Sequence, residues 1–172
     1  LALINVDYEV LQPVMSIEAA MADGAPLLHE GLMTKGLAEE PTSPSNVASR
    51  MEMNKGDIEV GFAEADIVVE REFRTATVHQ GYIEPHACTV RYDEDGQSMI
   101  WCSTQGHFGV RQSTAAMLNI EHSKLKVIAS EIGGGFGGKT IVYLEPVATI
   151  LSRKSGRPVK MVMTREEVMR AT

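Results

Sequence analysis

Alternating hydrophobic and polar positions predict short strands, most of them in the second half of the chain. The predicted strands span residues 2–7, 67–73, 87–92, 98–104, 125–129 and 159–163. Apolar residues at helical spacing, preceded by capping residues, predict short helices between them. The predicted helices begin at Ser16, Asp57, Gly106, Tyr143 and Thr164. Because strands and helices alternate without a regular order, the pattern predicts an α+β fold, with helices packed on mixed sheets, rather than a doubly wound sheet.

The composition changes between residues 23 and 54, where three prolines and the cluster EEPTSPSN replace the periodic pattern. Such a stretch is typical of a long irregular connection. We therefore expect an N-terminal segment with an irregular linker over residues 1–55. An α+β domain is expected over residues 56–172.

The bulk composition is that of a soluble globular protein, with 172 residues, 44% of them hydrophobic and 23% charged. The net charge of −7 argues against nucleic acid as the main partner. No window approaches the roughly 18 uninterrupted apolar residues that a membrane span needs. These properties lead us to expect a cytoplasmic protein without a membrane span.

Two cysteines, Cys88 and Cys102, are too few for a disulfide framework or an iron–sulfur site. A two-residue turn at Asp95-Gly96 would place Cys88 opposite Ser103, whereas a three-residue turn would set the two thiols face to face. The sequence leaves both registers open. We expect free, buried thiols, because cysteine is often buried outside oxidising compartments.

The stretch EIGGGFGGKT, residues 131–140, is the most unusual part of the chain, and we call it the glycine loop. It matches the phosphate-binding pattern G-x-x-x-x-G-K-[ST], with a predicted strand before it and a predicted helix after it. However, the strand that follows runs into Thr164-Arg165 and supplies no aspartate for Mg²⁺. A P-loop nucleotide-binding protein that uses residues 133–140 is therefore the alternative hypothesis.

Even if the P-loop pattern is set aside, the glycines of this loop indicate a ligand-binding element. Glycine permits positive φ angles and lets the backbone approach a ligand closely, and consecutive N–H groups can bind anions. We expect Phe136 to pack against the ligand with its amide directed inwards. A mobile surface loop, in a module that serves only subunit interaction, is a further interpretation.

Several segments together resemble one family. They are STQG (residues 103–106), Arg111, KLKVIAS, GGGFGGK and GRPVKMVMTREE, with VDYEVLQPV, GDIEVGFAEAD and IEPHA before them. In this order the sequence resembles the molybdenum-binding large subunit of the xanthine dehydrogenase/aldehyde oxidase/carbon monoxide dehydrogenase family. The resemblance covers nearly all of the chain. Because large subunits of this family are several times longer, it implies an N-terminal fragment of the molybdopterin-binding portion.

The resemblance implies a molybdenum-dependent oxidoreductase that hydroxylates an aldehyde or N-heterocycle with oxygen from water. The implied cofactor is molybdenum–molybdopterin, and its exact form, including a dinucleotide form, stays open. Iron–sulfur clusters and FAD on partner domains or subunits would carry the electrons away. The other implied partners are the small-molecule substrate and the rest of the large subunit.

The resemblance also assigns cofactor-binding roles. Gln105 would donate a hydrogen bond to an oxo ligand of molybdenum, a role that suits a neutral amide. The backbone of Gly135, Phe136 and Gly137 would face the metal and pterin, with Gly106 and Gly138 beside them. The pterin dithiolene would hold the metal, so that no side chain of this chain ligates it directly. The interpretation of Gln105 that needs no cofactor is a strand-end residue that caps the next helix.

Other positions depart from the family pattern or stay ambiguous. Purine-hydroxylating members usually carry a glutamate where this chain has Thr140, so a purine-type pocket is not expected. The catalytic base of the family lies beyond Thr172, so we expect no catalytic residue here and an inactive isolated chain. Three side chains could contact the cofactor or serve only the fold, namely His107, Arg111 and Lys139. Glu84 and His86 of IEPHA are expected to hold a loop together.

Overall fold

The computed structural model describes residues 3–172. The chain divides into two compact units, Leu1–Arg71 and Glu72–Thr172. The domain boundary that the composition suggests, after residue 55, stays a prediction.

The first unit contains two short helices, α1 (Ile17–Met21) and α2 (Ile58–Glu64). Each begins after the capping residue that the sequence predicts, because a side-chain oxygen there accepts hydrogen bonds from the first free amides of the helix. Ser16 caps α1, and Asp57 caps α2. Much of the remainder is irregular, as expected for residues 23–54, with one isolated bridge between Lys35 and Ser49.

Two predicted strands are wrong. Residues 67–73 alternate as a strand would, but they form no ladder, and Val69 and Phe73 are 70% and 87% exposed. The strand predicted over residues 2–7 begins outside the described residues, and residues 3–7 form no strand. The physical reason is the same in both cases. A strand requires a neighbour that accepts its backbone hydrogen bonds, and no described segment pairs with either stretch.

The second unit is built on a four-stranded mixed sheet with helices, which confirms the predicted α+β class. Its strands, in the spatial order β3-β2-β1-β4, are β1 (Ala87–Arg91), β2 (Ser98–Cys102), β3 (Leu125–Ala129) and β4 (Val159–Val162). Strand β1 is antiparallel to β2 and β4, whereas β2 and β3 are parallel. Its helices are α3 (His107–Leu118), the short 3-10 turn His122–Lys124, α4 (Glu145–Ser155) and α5 (Arg165–Ala171).

Local signals explain where these helices begin and end. Pro146 lies in the first turn of α4, where a missing N–H costs nothing, and Gly156 ends that helix in the left-handed region with φ +62°. Thr164 and Glu167 form the predicted capping box of α5. Among residues 3–172, no helix has both the length and the apolar composition needed to cross a membrane.

The core of this unit lies between the sheet and the helices α3 and α4. Helix α3 packs against β3, and α4 packs against β1. Five residues of this core are completely buried: Val90, Ile100, Val110, Leu125 and Ala148. This packing fixes the end of β2 and the end of β3, where the candidate site begins.

The two cysteines lie directly opposite each other in neighbouring strands, the register that a three-residue turn gives. Both are buried and free, as expected. Burial, with the nearby carboxylate of Glu145, raises the pKa of Cys88 to about 12 and raises the pKa of Cys102 still further. Both thiols are therefore protonated at neutral pH.

Candidate functional site

The glycine loop joins β3 to α4 through a tight, left-handed turn. Gly134 and Gly137 have φ angles of +93° and +91°, which an L side chain rarely adopts. Phe136, between them, has φ +48°, a conformation that costs a non-glycine residue roughly 1–2 kcal/mol. The amide of Gly138 donates to the carbonyl of Gly135 at 2.7 Å and closes the turn. Such strain persists only where neighbouring contacts fix the backbone.

Gln105, three residues after the end of β2, supplies one of these contacts. Its side-chain oxygen Oε1 accepts hydrogen bonds from the amides of Gly137 (3.0 Å) and Lys139 (3.3 Å). The backbone amide of Gln105 donates a hydrogen bond to the backbone carbonyl of Lys139 at 2.8 Å. Gln105 is an exposed residue, and its Nε2 group has no hydrogen-bond partner among residues 3–172. The structure thus brings together the carboxamide and the loop that the sequence singles out, and it leaves a neutral donor beside them.

Close packing requires glycine at three further positions of the loop. A Cβ atom at Gly135 would lie 2.5 Å from Oε1 of Gln105. At Gly138 it would lie 2.8 Å from the ring of Tyr82, and at Gly133 it would lie 2.8 Å from Cβ of Glu84. The absence of side chains in this loop is therefore a consequence of its tight contacts.

Several backbone donors of the loop have no partner in the protein, although Gly135 is itself buried. Within the described part of the chain, the amides of Gly134, Gly135 and Phe136 make no hydrogen bond. The amide of Gly106 is bound by Oγ1 of Thr104 at 3.0 Å. The side chain of Phe136 is 75% exposed, and its predicted packing against a ligand stays a prediction.

The underside of the loop carries a buried charge. The Lys139 side chain is fully buried, and its Nζ lies 2.6 Å from Oε2 of Glu84. The same oxygen accepts a hydrogen bond from the amide of Gly133 at 2.7 Å. Nζ also lies 5.0 Å from the centre of the Tyr82 ring. Burial alone would raise the pKa of Glu84, but the hydrogen bonds from Lys139 and Gly133 outweigh it and lower this pKa.

This arrangement does not support the P-loop alternative. A P-loop lysine directs its ammonium group at phosphate, whereas Nζ of Lys139 faces Glu84 inside the protein. The hydroxyl of Thr140 donates to the carbonyl of Gly137 at 3.0 Å. Helix α4 begins only at Glu145, so that no helix N-terminus follows the loop directly.

The remaining polar candidates contact other groups. Nε2 of His86 lies 2.8 Å from the hydroxyl of Tyr82, and burial together with the charge of Lys139 lowers the pKa of His86 to about 4. His86 is therefore neutral at physiological pH. His107 and Arg111 both contact the ring of Phe108 and form no hydrogen bond with the glycine loop.

A metal site built from side chains is absent from residues 3–172, where no group of three or more His, Cys, Asp or Glu residues is placed to hold an ion. The predicted absence of direct ligands from this chain stays a prediction. The available donors are amides, which suit a cofactor that brings its own metal ligands.

Comparison with known proteins identifies the family. A family model described as the molybdopterin cofactor-binding domain matches residues 39–172. The chain is 34% identical to the probable hypoxanthine oxidase XdhD of Escherichia coli (strain K12), over 97% of this chain and 20% of that protein. It is 31% identical to the nicotinate dehydrogenase large molybdopterin subunit of Eubacterium barkeri, over 95% of this chain and 36% of that protein.

Comparison with a solved structure supports the same family. The chain is similar to the reconstituted CO dehydrogenase from Oligotropha carboxidovorans, with a TM-score of 0.78 and 30% identity over 96% of this chain and 21% of that chain. It spans about a fifth to a third of the length of these relatives. The resemblance seen in the sequence is thereby confirmed: the chain belongs to the molybdopterin cofactor-binding domain family and corresponds to part of a molybdenum-binding large subunit.

Proposed function

We propose that this chain forms one wall of the cofactor site in a molybdenum-dependent hydroxylase. The enzyme would oxidise an aldehyde or N-heterocycle and take the added oxygen from water. The bound molybdenum–molybdopterin would supply the two-electron chemistry. The observation that carries the proposal is the contact between Gln105 and the glycine loop, because it gathers several free hydrogen-bond donors without adding charge.

In this proposal each part of the site has one task. Nε2 of Gln105 donates to a polar ligand of the cofactor, while Oε1 keeps the loop in place. The free amides of Gly135 and Phe136 donate to further polar atoms of the cofactor. Gly106, Gly137 and Gly138 let the backbone approach the cofactor closely. A side chain at these positions would occupy the space of the cofactor or strain the turn. No residue of this chain moves a proton in the reaction, and the catalytic base lies elsewhere in the subunit.

The substrate class rests on Thr140. The similar proteins carry names that refer to hypoxanthine, nicotinate and CO, so the family accommodates different substrates. The neutral hydroxyl of Thr140 is bound to the carbonyl of Gly137 and offers no charge to a purine. An aldehyde or a non-purine N-heterocycle therefore fits this position better.

The proposal includes partners and a location. Electrons must leave the cofactor, so we place iron–sulfur clusters and FAD on partner domains or subunits of a cytoplasmic enzyme. The isolated chain would be inactive, because it lacks the base and most cofactor contacts.

A pair of glutamine variants tests the proposal in the holoprotein. Gln105→Ala removes the donor at the loop, and Gln97→Ala removes a hydrogen bond to the carbonyl of Ser123 in the same unit. We expect Gln105→Ala to lower kcat about tenfold or more, as losses of single positioned donors do. Gln97→Ala should leave kcat and the molybdenum content per subunit unchanged. Equal behaviour of the two variants would refute the proposed site.

A further inference from the structure

The buried ammonium group of Lys139 requires a specific partner. A charge without water is costly unless it is paired and hydrogen-bonded. Glu84, 55 positions earlier in the chain, provides this partner at 2.6 Å, and its own side chain remains 33% exposed. The pair therefore ties the segment before β1 to the end of the glycine loop.

Glu84 also binds the other end of the loop. Its Oε2 accepts from the amide of Gly133, and its backbone amide donates to the carbonyl of Gly133 at 3.3 Å. One residue is thus connected to both Gly133 and Lys139, on either side of the strained turn at Phe136. Arg165 holds the Glu84 segment itself, because its guanidinium donates to the carbonyls of Tyr82 and Ile83.

Tyr82 fills the space between these two attachment points. It is 1% exposed, and its side chain would lie 3.2 Å from a Cβ atom at Gly134 and 2.8 Å from one at Gly138. The loop therefore packs against the buried Tyr82 side chain, and Glu84 binds it at both ends. A flexible linker would need neither the buried charge nor the strained φ angle of Phe136.

We propose that Glu84 and Lys139 act as positioning residues for the cofactor: together they set the curvature of residues 133–139 and thereby the direction of the free amides of Gly134, Gly135 and Phe136. This inference rests on the proposed function, since it names residues that serve the same site without touching the cofactor. A pair that only stabilised the fold could be replaced by two neutral residues without effect on the loop. A positioning pair could not.

Amide hydrogen exchange of the holoprotein, followed in peptides that span residues 131–140, separates these two roles. Glu84→Gln keeps an acceptor for Gly133 but leaves the charge of Lys139 unpaired. The double variant Glu84→Gln/Lys139→Met removes both charges. We expect about tenfold faster loop exchange in Glu84→Gln, as the loss of a charge-assisted hydrogen bond implies. The double variant should regain the melting temperature of the wild type but not the loop protection.

Two further variants keep the test decisive. Glu84→Asp retains the counter-charge, so that it should fold, but its shorter side chain cannot reach both Gly133 and Lys139. It should show faster loop exchange at an almost unchanged melting temperature. Glu166→Gln, the control, breaks the exposed ion pair with Arg170 and should leave the loop as it is in the wild type.

Unchanged loop exchange in Glu84→Asp, or loop protection restored together with stability in the double variant, would overturn the inference. The molybdenum content per subunit is measured in the same samples, and we expect it to fall with loop protection. A different outcome would refute the proposed function and leave the positioning role intact. In that outcome the Glu84 variants change loop exchange, but Gln105→Ala behaves as the wild type.

Discussion

Replacing Gly135 by alanine tests the contact between Gln105 and the loop most sharply. The new Cβ atom would lie 2.5 Å from Oε1, 2.8 Å from Cδ and 3.1 Å from Cγ of Gln105. Non-bonded carbon atoms prefer about 3.5–4.0 Å, so the carboxamide must move by about 1 Å. Its hydrogen bonds to the amides of Gly137 and Lys139 would then be lost.

The magnitude follows from these two bonds. Each is worth about 0.5–1.5 kcal/mol, so their loss costs about 1–3 kcal/mol. Gly135 does not have a positive φ angle, so alanine adds no backbone strain there. Alanine also lowers the conformational entropy of the unfolded chain, which stabilises the folded protein by about 0.4–1 kcal/mol and partly offsets this loss. The net local cost is therefore about 1–2 kcal/mol, which raises the exchange rate of the two amides about 5- to 30-fold.

The assay is amide exchange of Gly137 and Lys139 in the holoprotein. Gly109→Ala is the matched control, because its Cβ atom would lie 3.9 Å from the nearest atom, the carbonyl oxygen of Thr140. This variant should leave exchange in the glycine loop unchanged. If Gly135→Ala exchanges within twofold of the wild type, Gln105 does not hold the loop and the reasoning is refuted.

Three further predictions concern charge, thiols and backbone. The pKa of Glu84 is lowered in the folded state, so its stabilisation is present above its ordinary pKa of 4.5 and is lost as the pH falls through the lowered value. The protection of the loop amides, expressed relative to the intrinsic exchange rate at each pH, should therefore fall in acid in the wild type and stay constant in Glu84→Gln. Because the pKa of Cys88 is about 12 and that of Cys102 is higher still, iodoacetamide at pH 8 should alkylate them roughly a thousandfold more slowly than in urea; equal rates would contradict their burial. Gly156→Ala, at φ +62° with open space around it, should cost about 1 kcal/mol in denaturant titrations, and an unchanged midpoint would exclude the left-handed cap.

Local signals in the sequence were sufficient for several elements of both units. The caps at Asp57 and Thr164 and the hairpin around DEDG depend on interactions between near neighbours, and all three are confirmed. The strand predicted over residues 67–73 fails because alternation specifies only the two faces of a strand. It does not specify the neighbour that completes the hydrogen bonds.

The same distinction applies to the site. The glycine loop and Gln105 are visible as motifs, and the structure places them in contact. The roles of Tyr82 and Glu84 are not visible, because they depend on contacts across about fifty positions of the chain. The burial of Lys139 is equally hidden, since the motif that contains it predicts a phosphate-binding lysine. The nearest signal is the segment IEPHA, for which the sequence predicts only that it holds a loop together.

An experimental density map of the holoprotein tests the central claim most directly. We expect polar atoms of the molybdenum–molybdopterin cofactor within about 3 Å of Nε2 of Gln105 and of at least one free amide among Gly134, Gly135 and Phe136, the distance of an ordinary hydrogen bond. A cofactor that is well ordered elsewhere, with Gln105 and the glycine loop facing solvent, would contradict the claim.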